Sequence, residues 1–136
     1  MIKEIIHDPI FLARPSADAT PDDAQVAVDL IDTITANREK CVGMAANMIG
    51  VGKRIIVFDN NGTYSVMFNP EIIVRKGRYE TEEGCLSLSG IRKTVRYSEI
   101  KVQYQNEDFK PRVRSFKGFT AQIIQHETDH CNGILI

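Results

Sequence analysis

The sequence has 136 residues, 43% of them hydrophobic and 26% charged, the composition of one ordinary globular domain. Its 17 Lys and Arg against 18 Asp and Glu leave a net charge of -1, which excludes nucleic-acid binding driven by bulk charge. No apolar run approaches the roughly 18 residues of a bilayer-spanning helix. The opening MIKEIIHDPIF puts acids and a proline where a signal peptide needs an apolar stretch, so the expected location is cytoplasmic, with no membrane partner. In that reducing compartment Cys41, Cys85 and Cys131, which show no CxxC or paired spacing, are thiols serving either as buried filler or as ligands.

No linker, repeat or block of like charge divides the chain, and residues 1–136 read as a single domain. Thr20, Pro21, Asp22 and Asp23 supply the N-cap, first-position proline and acidic first turn of a helix, and the spacing predicts one over residues 21–37. Val26, Ala27, Leu30, Ile31 and Ile34 form its apolar side, with Asp22, Asp29 and Asp32 facing solvent. The period then becomes strand-like. Residues 54–59 (RIIVFD) and 64–68 (YSVMF), joined through Asn60, Asn61 and Gly62, read as a hairpin. Further strands are predicted at 71–75, 92–97, 99–105 and 112–116, mostly alternating, which favours an antiparallel sheet. From Lys117 the pattern is helical again: Phe119, Ile123, His126 and His130 share one face, and Gly133 is the stop. The expected fold class is α+β, with antiparallel strands packed around the C-terminal helix and a second helix near the N-terminus.

That C-terminal helix carries His126-Glu127-Thr128-Asp129-His130, an HExxH pattern. Two histidines four apart lie one turn above each other, so both imidazoles reach one cation, and the adjacent glutamate lies close enough to the cation's water to act as a base. A catalytic site of this kind needs a third protein ligand. The six residues after His130 include no His, Asp or Glu, and Cys131 points about 100° away from the shared face. The third ligand is therefore expected upstream, among Cys41, Cys85, His7 and the carboxylates. Cys85 stands out because Gly84 before it allows close approach. A thiolate with two imidazoles suits Zn²⁺ or Fe²⁺ and argues against Mg²⁺ or Ca²⁺.

With these residues placed, the sequence resembles the peptide deformylases, a family marked by GxGxAAxQ, EGCLS and QHExDH in that order. Here the segments are VGMAANMIG at 42–50, EGCLSLSG at 83–90 and QHETDH at 125–130. The resemblance implies a metal-dependent hydrolase that removes the formyl group from N-formyl-methionyl peptides, the formylated N-termini of nascent polypeptides, with the enzyme cytoplasmic and ribosome-associated. It implies that Cys85, His126 and His130 hold one divalent ion, commonly Fe²⁺, with Zn²⁺ or another divalent metal as the other choice. Glu127 is implied as general acid and base, and the Leu86 backbone N–H as a donor to the oxyanion. Arg92 falls where the family has an arginine near the substrate, and Val42, Gly43, Leu86 and Ile123 match positions that contact it.

The first motif diverges. Cys41 stands where the family has glycine, Asn47 where it usually has proline, and Met48 where it has glutamine. The resemblance implies that this glutamine donates to the developing oxyanion, and a thioether has no donor. Two groups are candidates to compensate: the Asn47 amide, and the Leu86 N–H acting alone. Cys41 reads as a buried thiol. The alternatives to a slower deformylase are a related hydrolase acting on another small acyl amide and a metal-binding protein without catalysis. Retention of Glu127 beside both histidines favours catalysis.

Overall fold

The computed structural model describes residues 1–136. Helix α1 (Pro9–Leu12) is a single turn, and a 3₁₀ turn (Pro21–Asp23) leads into α2 (Ala24–Ala36). Strand β1 (Gly43–Ala45) and a second 3₁₀ turn (Ala46–Ile49) come next, followed by β2 (Ile55–Asn60), β3 (Thr63–Gly84), β4 (Ile91–Gln105), β5 (Pro111–Lys117) and α3 (Gly118–Cys131). The five strands form one antiparallel sheet in the order β1-β2-β3-β4-β5. The architecture is the expected α+β arrangement. No helix is long and apolar enough to cross a membrane.

The start of α2 follows from its sequence: the Asp23 carboxylate accepts from the Thr20 N–H at 2.8 Å, closing one half of a capping box. One expectation for this helix is corrected. Asp29 is buried instead of solvated, because it accepts from the Met1 amino group at 2.9 Å and from Gln25 at 3.1 Å. The β2–β3 hairpin turns through Asn61 and Gly62, both with positive φ, the backbone that a two-residue turn needs to match strand twist.

Strands predicted in pieces are continuous. The runs at 64–68 and 71–75 both belong to β3, and those at 92–97 and 99–105 both belong to β4. Asn69 and Pro70, which read as a break, sit at a register irregularity between Phe68 and Glu71. Asn69 has positive φ there, and its side-chain amide exchanges hydrogen bonds with the Ala19 backbone.

The core lies on both faces of the sheet. Ile55 and Val57 pack with Leu30 and Ile34 of α2, while Ile56 and Phe58 pack with Ala121, Ile124 and Cys131 in α3. Strand β2 is therefore buried on both sides, which explains its unbroken apolar run. Strand β1 crosses at the sheet edge, and its 3₁₀ continuation brings residues 43–48 against α3. It was not expected, since three small or unbranched residues carry no strand signal.

Candidate active site

Helix α3 holds the two histidines one turn apart, and Cys85 follows directly on the end of β3. The Cys85 Sγ lies 3.3 Å from His130 Nε2, which lies 3.2 Å from His126 Nε2. All three ligand atoms fall within 4.8 Å of one another. A borderline-soft divalent cation fits this set, because one sulfur and two ring nitrogens converge with no oxygen among them. Burial and the neighbouring His126 push His130 down to about 3, so its imidazole stays neutral with a lone pair to offer.

His126 is oriented from behind. Its Nδ1 pairs with Glu83 Oε1 at 2.8 Å. Arg96 grips the same carboxylate through Nη2 at 2.7 Å and Nε at 2.9 Å, and Gln122 donates to it at 2.8 Å. A third arm of Arg96 reaches Asp129 at 2.7 Å, tying β4 to α3. Burial alone would raise the Glu83 carboxyl, but the hydrogen bonds from His126, Arg96 and Gln122 outweigh it and hold it down to about 2. Glu83 is thus an anion that fixes the His126 tautomer. Arg96, Gln122 and Asp129 were not singled out in the sequence. Glu83 could have been, since it opens the segment that contains Cys85.

Glu127 is 4% exposed, and its Oε1 has no hydrogen-bond partner in the protein. Burial pushes its carboxyl up to about 7, with His126 pulling the other way. A carboxylate poised near neutrality suits a group that takes and returns a proton. Gly43 sits against it: a β-carbon at 43 would lie 2.7 Å from Glu127 Oε2 and 2.6 Å from Ile123 Cγ2. The close approach requires glycine.

These residues open onto a cavity of about 690 Å³ lined by Val42, Gly43, Met48, Cys85, Leu86, Ile123, His126 and Glu127. Phe119 stands at its rim, largely exposed, so the helix stripe read from the sequence faces the cavity as well as the core. No hydrogen bond within the protein uses the Leu86 N–H. Arg92 is not among the lining residues; its guanidinium donates to the Ser89 carbonyl at 3.2 Å in the adjoining loop. His7 is outside the cluster, with its Nδ1 against the Ser87 carbonyl at 2.8 Å. Cys131 is buried in the α3 core, where burial pushes its thiol up to about 12. Cys41 is half-buried and lines the cavity, where burial pushes its thiol up to about 11, so the buried-thiol reading is corrected to a cavity-wall thiol.

Met48 is 1% exposed, and its sulfur accepts from the Ala45 N–H at 3.5 Å. It offers the cavity no donor. Asn47 does not replace one, because it does not line the cavity and its Nδ2 is turned to the His130 carbonyl at 3.0 Å. The compensation expected of Asn47 is therefore absent in this arrangement.

A cysteine sulfur and two imidazoles converging beside a buried Glu127 carboxyl, at the wall of a cavity in an α+β fold, define a metal-dependent hydrolase. The family model described as polypeptide deformylase matches residues 3–136, and the chain belongs to that family. It is 54% identical to a peptide deformylase from Clostridium beijerinckii over 136 residues, covering all of both chains. A second relative, from Carboxydothermus hydrogenoformans, is 38% identical, with 96% of this chain and 86% of that one covered. Among solved structures, a Met-Ala-Ser-bound class I type b peptide deformylase from Acinetobacter baumannii superposes with a TM-score of 0.89 at 28% identity. That match covers 99% of this chain and 97% of the other. The activity is that of a metal-dependent deformylase, removing formyl groups from peptide N-termini.

Proposed function

We propose that residues 1–136 form one deformylase domain in which Cys85, His126 and His130 hold a single divalent ion, Fe²⁺ in preference to Zn²⁺, and Glu127 is the general acid and base. When bound, the ion supplies a Lewis acid that lowers the pKa of a water molecule. The single observation carrying this reading is the buried Glu127 carboxylate, unpartnered at Oε1, beside the three converging ligand atoms. Glu127 removes a proton from the attacking water and returns it to the leaving amine, so its ordinary value must rise for both steps to run near neutrality. The Leu86 N–H donates to the oxyanion that forms on the formyl carbonyl. Gly43 keeps the Glu127 carboxylate against the cavity wall, and Val42, Leu86 and Ile123 line the side where a methionine side chain lies. The Acinetobacter baumannii relative, described as bound to Met-Ala-Ser, supports that substrate. Arg92, which does not line the cavity, acts on the substrate peptide through the adjoining loop, where it donates to the Ser89 carbonyl.

The substrate is the formylated N-terminus of nascent polypeptides, met at the ribosome in the cytoplasm, and turnover is slowed because Met48 offers no donor. Formate release from a formyl-Met peptide by Fe²⁺- or Zn²⁺-loaded protein tests the reading. Glu127→Ala should reduce the rate by at least about 10²-fold, the usual contribution of a positioned acid and base. A Glu127→Ala rate equal to wild type would overturn the assignment.

A further inference from the structure

The two histidines are supported unequally. For both Nε2 atoms to face one cation, each ring must carry its proton on Nδ1, and that N–H requires an acceptor. His126 has Glu83 at 2.8 Å. The His130 Nδ1 is buried and has no partner in the protein, although the residue is fully buried. The loop before β2 presents a matching orphan. Asn47 is 1% exposed, and its Nδ2 donates at 3.0 Å to the carbonyl of His130 itself. The other atom of the same amide, Oδ1, is also buried without a partner. A donor and an acceptor, each lacking a partner, thus belong to two residues already joined by a hydrogen bond. Leaving both unpaired would cost each group its hydration with nothing in return.

We infer that Asn47 is a positioning residue for His130: its Oδ1 accepts the Nδ1–H through one bridging water molecule, while its Nδ2 anchors the last turn of α3. The inference rests on His130 being a metal ligand. It gives the divergent loop a role in setting the ligand, and it explains why the Asn47 amide is committed away from the cavity. Proline at this position would carry neither group.

The test is Zn²⁺ affinity by chelator competition for wild type, Asn47→Ala and Asn47→Asp, with long-range ¹H–¹⁵N spectra of the Zn²⁺-loaded imidazoles. Asn47→Ala should weaken Zn²⁺ binding by about 10- to 100-fold, as expected for loss of a ligand's supporting partner. It should also remove the hydrogen-bonded His130 Nδ1–H signal while that of His126 is unchanged. Asn47→Asp keeps an acceptor and loses the donor, so it should bind Zn²⁺ more tightly than Asn47→Ala. If Asn47 only anchored the helix carbonyl, the aspartate would be the worse of the two, and that order would overturn the inference. Unchanged affinity in Asn47→Ala would overturn it alone, whereas a wild-type protein that binds no Zn²⁺ would overturn the ligand assignment together with it. Should the variants not fold, the wild-type spectrum decides: a His130 ring protonated on Nε2, or an Nδ1–H exchanging freely with solvent, rejects the proposal.

Discussion

Met48 and Gly43 show how much of the chemistry rests on single side chains. The Met48 sulfur turns back to the Ala45 N–H, so a glutamine of similar length would point an amide donor where the chain now has none. Loss of one oxyanion donor costs about 10²- to 10³-fold in rate. Met48→Gln should therefore raise kcat by up to that factor, with KM little changed, as read from formate release. An unchanged kcat would mean that the oxyanion lies out of reach of residue 48. Gly43→Ala makes the opposite prediction. Its added methyl would have to displace Glu127 Oε2 or the Ile123 side chain, both under 3 Å away. Because a positioned acid and base is worth about 10²- to 10⁴-fold, kcat should fall by at least about tenfold while metal content stays at one ion per chain. These residues were legible in the sequence because each lies in a short motif with its chemistry built in. Asn47 was legible only as a neighbour of Met48, since nothing local says that its amide reaches across 83 residues to His130.

At the scale of elements, the arrangement behind His126 depends on register. Arg96 opposes Tyr79 across the β3–β4 ladder, which puts it beside Glu83 and under Asp129 of α3. The strands were readable from their alternation, but their pairing offset was not, and so nothing in the predicted strand at 92–97 distinguished Arg96 from its neighbours. It is 4% exposed. Breaking a buried ion pair by deleting one partner leaves an uncompensated charge and costs about 3–5 kcal/mol. Arg96→Met should lower unfolding free energy by that amount in urea titration, and should weaken Zn²⁺ binding because Glu83 no longer holds His126 in place. A loss below about 1 kcal/mol would mean that Glu83 and Asp129 are held by other groups. Helices α2 and α3 were legible for the converse reason: their start and stop signals are local, as with Thr20 to Asp23 before α2 and Gly133 after α3, whereas the single turn α1 was not predicted. The joined strands were not, because Asn69 and Pro70 look like a loop unless the Ala19 contacts that accommodate the bulge are known.

Across the whole molecule, the ligand set joins parts of the chain that fold as different layers. Cys85 leaves the sheet and the histidines sit on α3, so an ion held by them would close a loop spanning 45 residues between Cys85 and His130. Helix α3 is otherwise held by apolar packing of Ala121, Ile124 and Cys131 against one sheet face, and its inner turn is polar. An ion held by these residues would supply the tie that those polar positions cannot make by packing. Metal binding to the native state only, at a free concentration about 100 times Kd, adds about 2.7 kcal/mol of stability. For a domain of this size that corresponds to a rise in Tm of about 10 °C. Chelation should lower Tm by about that much, reversibly on adding Zn²⁺ or, without oxygen, Fe²⁺. Cys85→Ser should weaken the response to added metal and leave the metal-free Tm nearly unchanged, since Cys85 is only partly buried. A Tm indifferent to chelator in wild type that still carries its ion beforehand would mean that sheet and helix are already locked together without it.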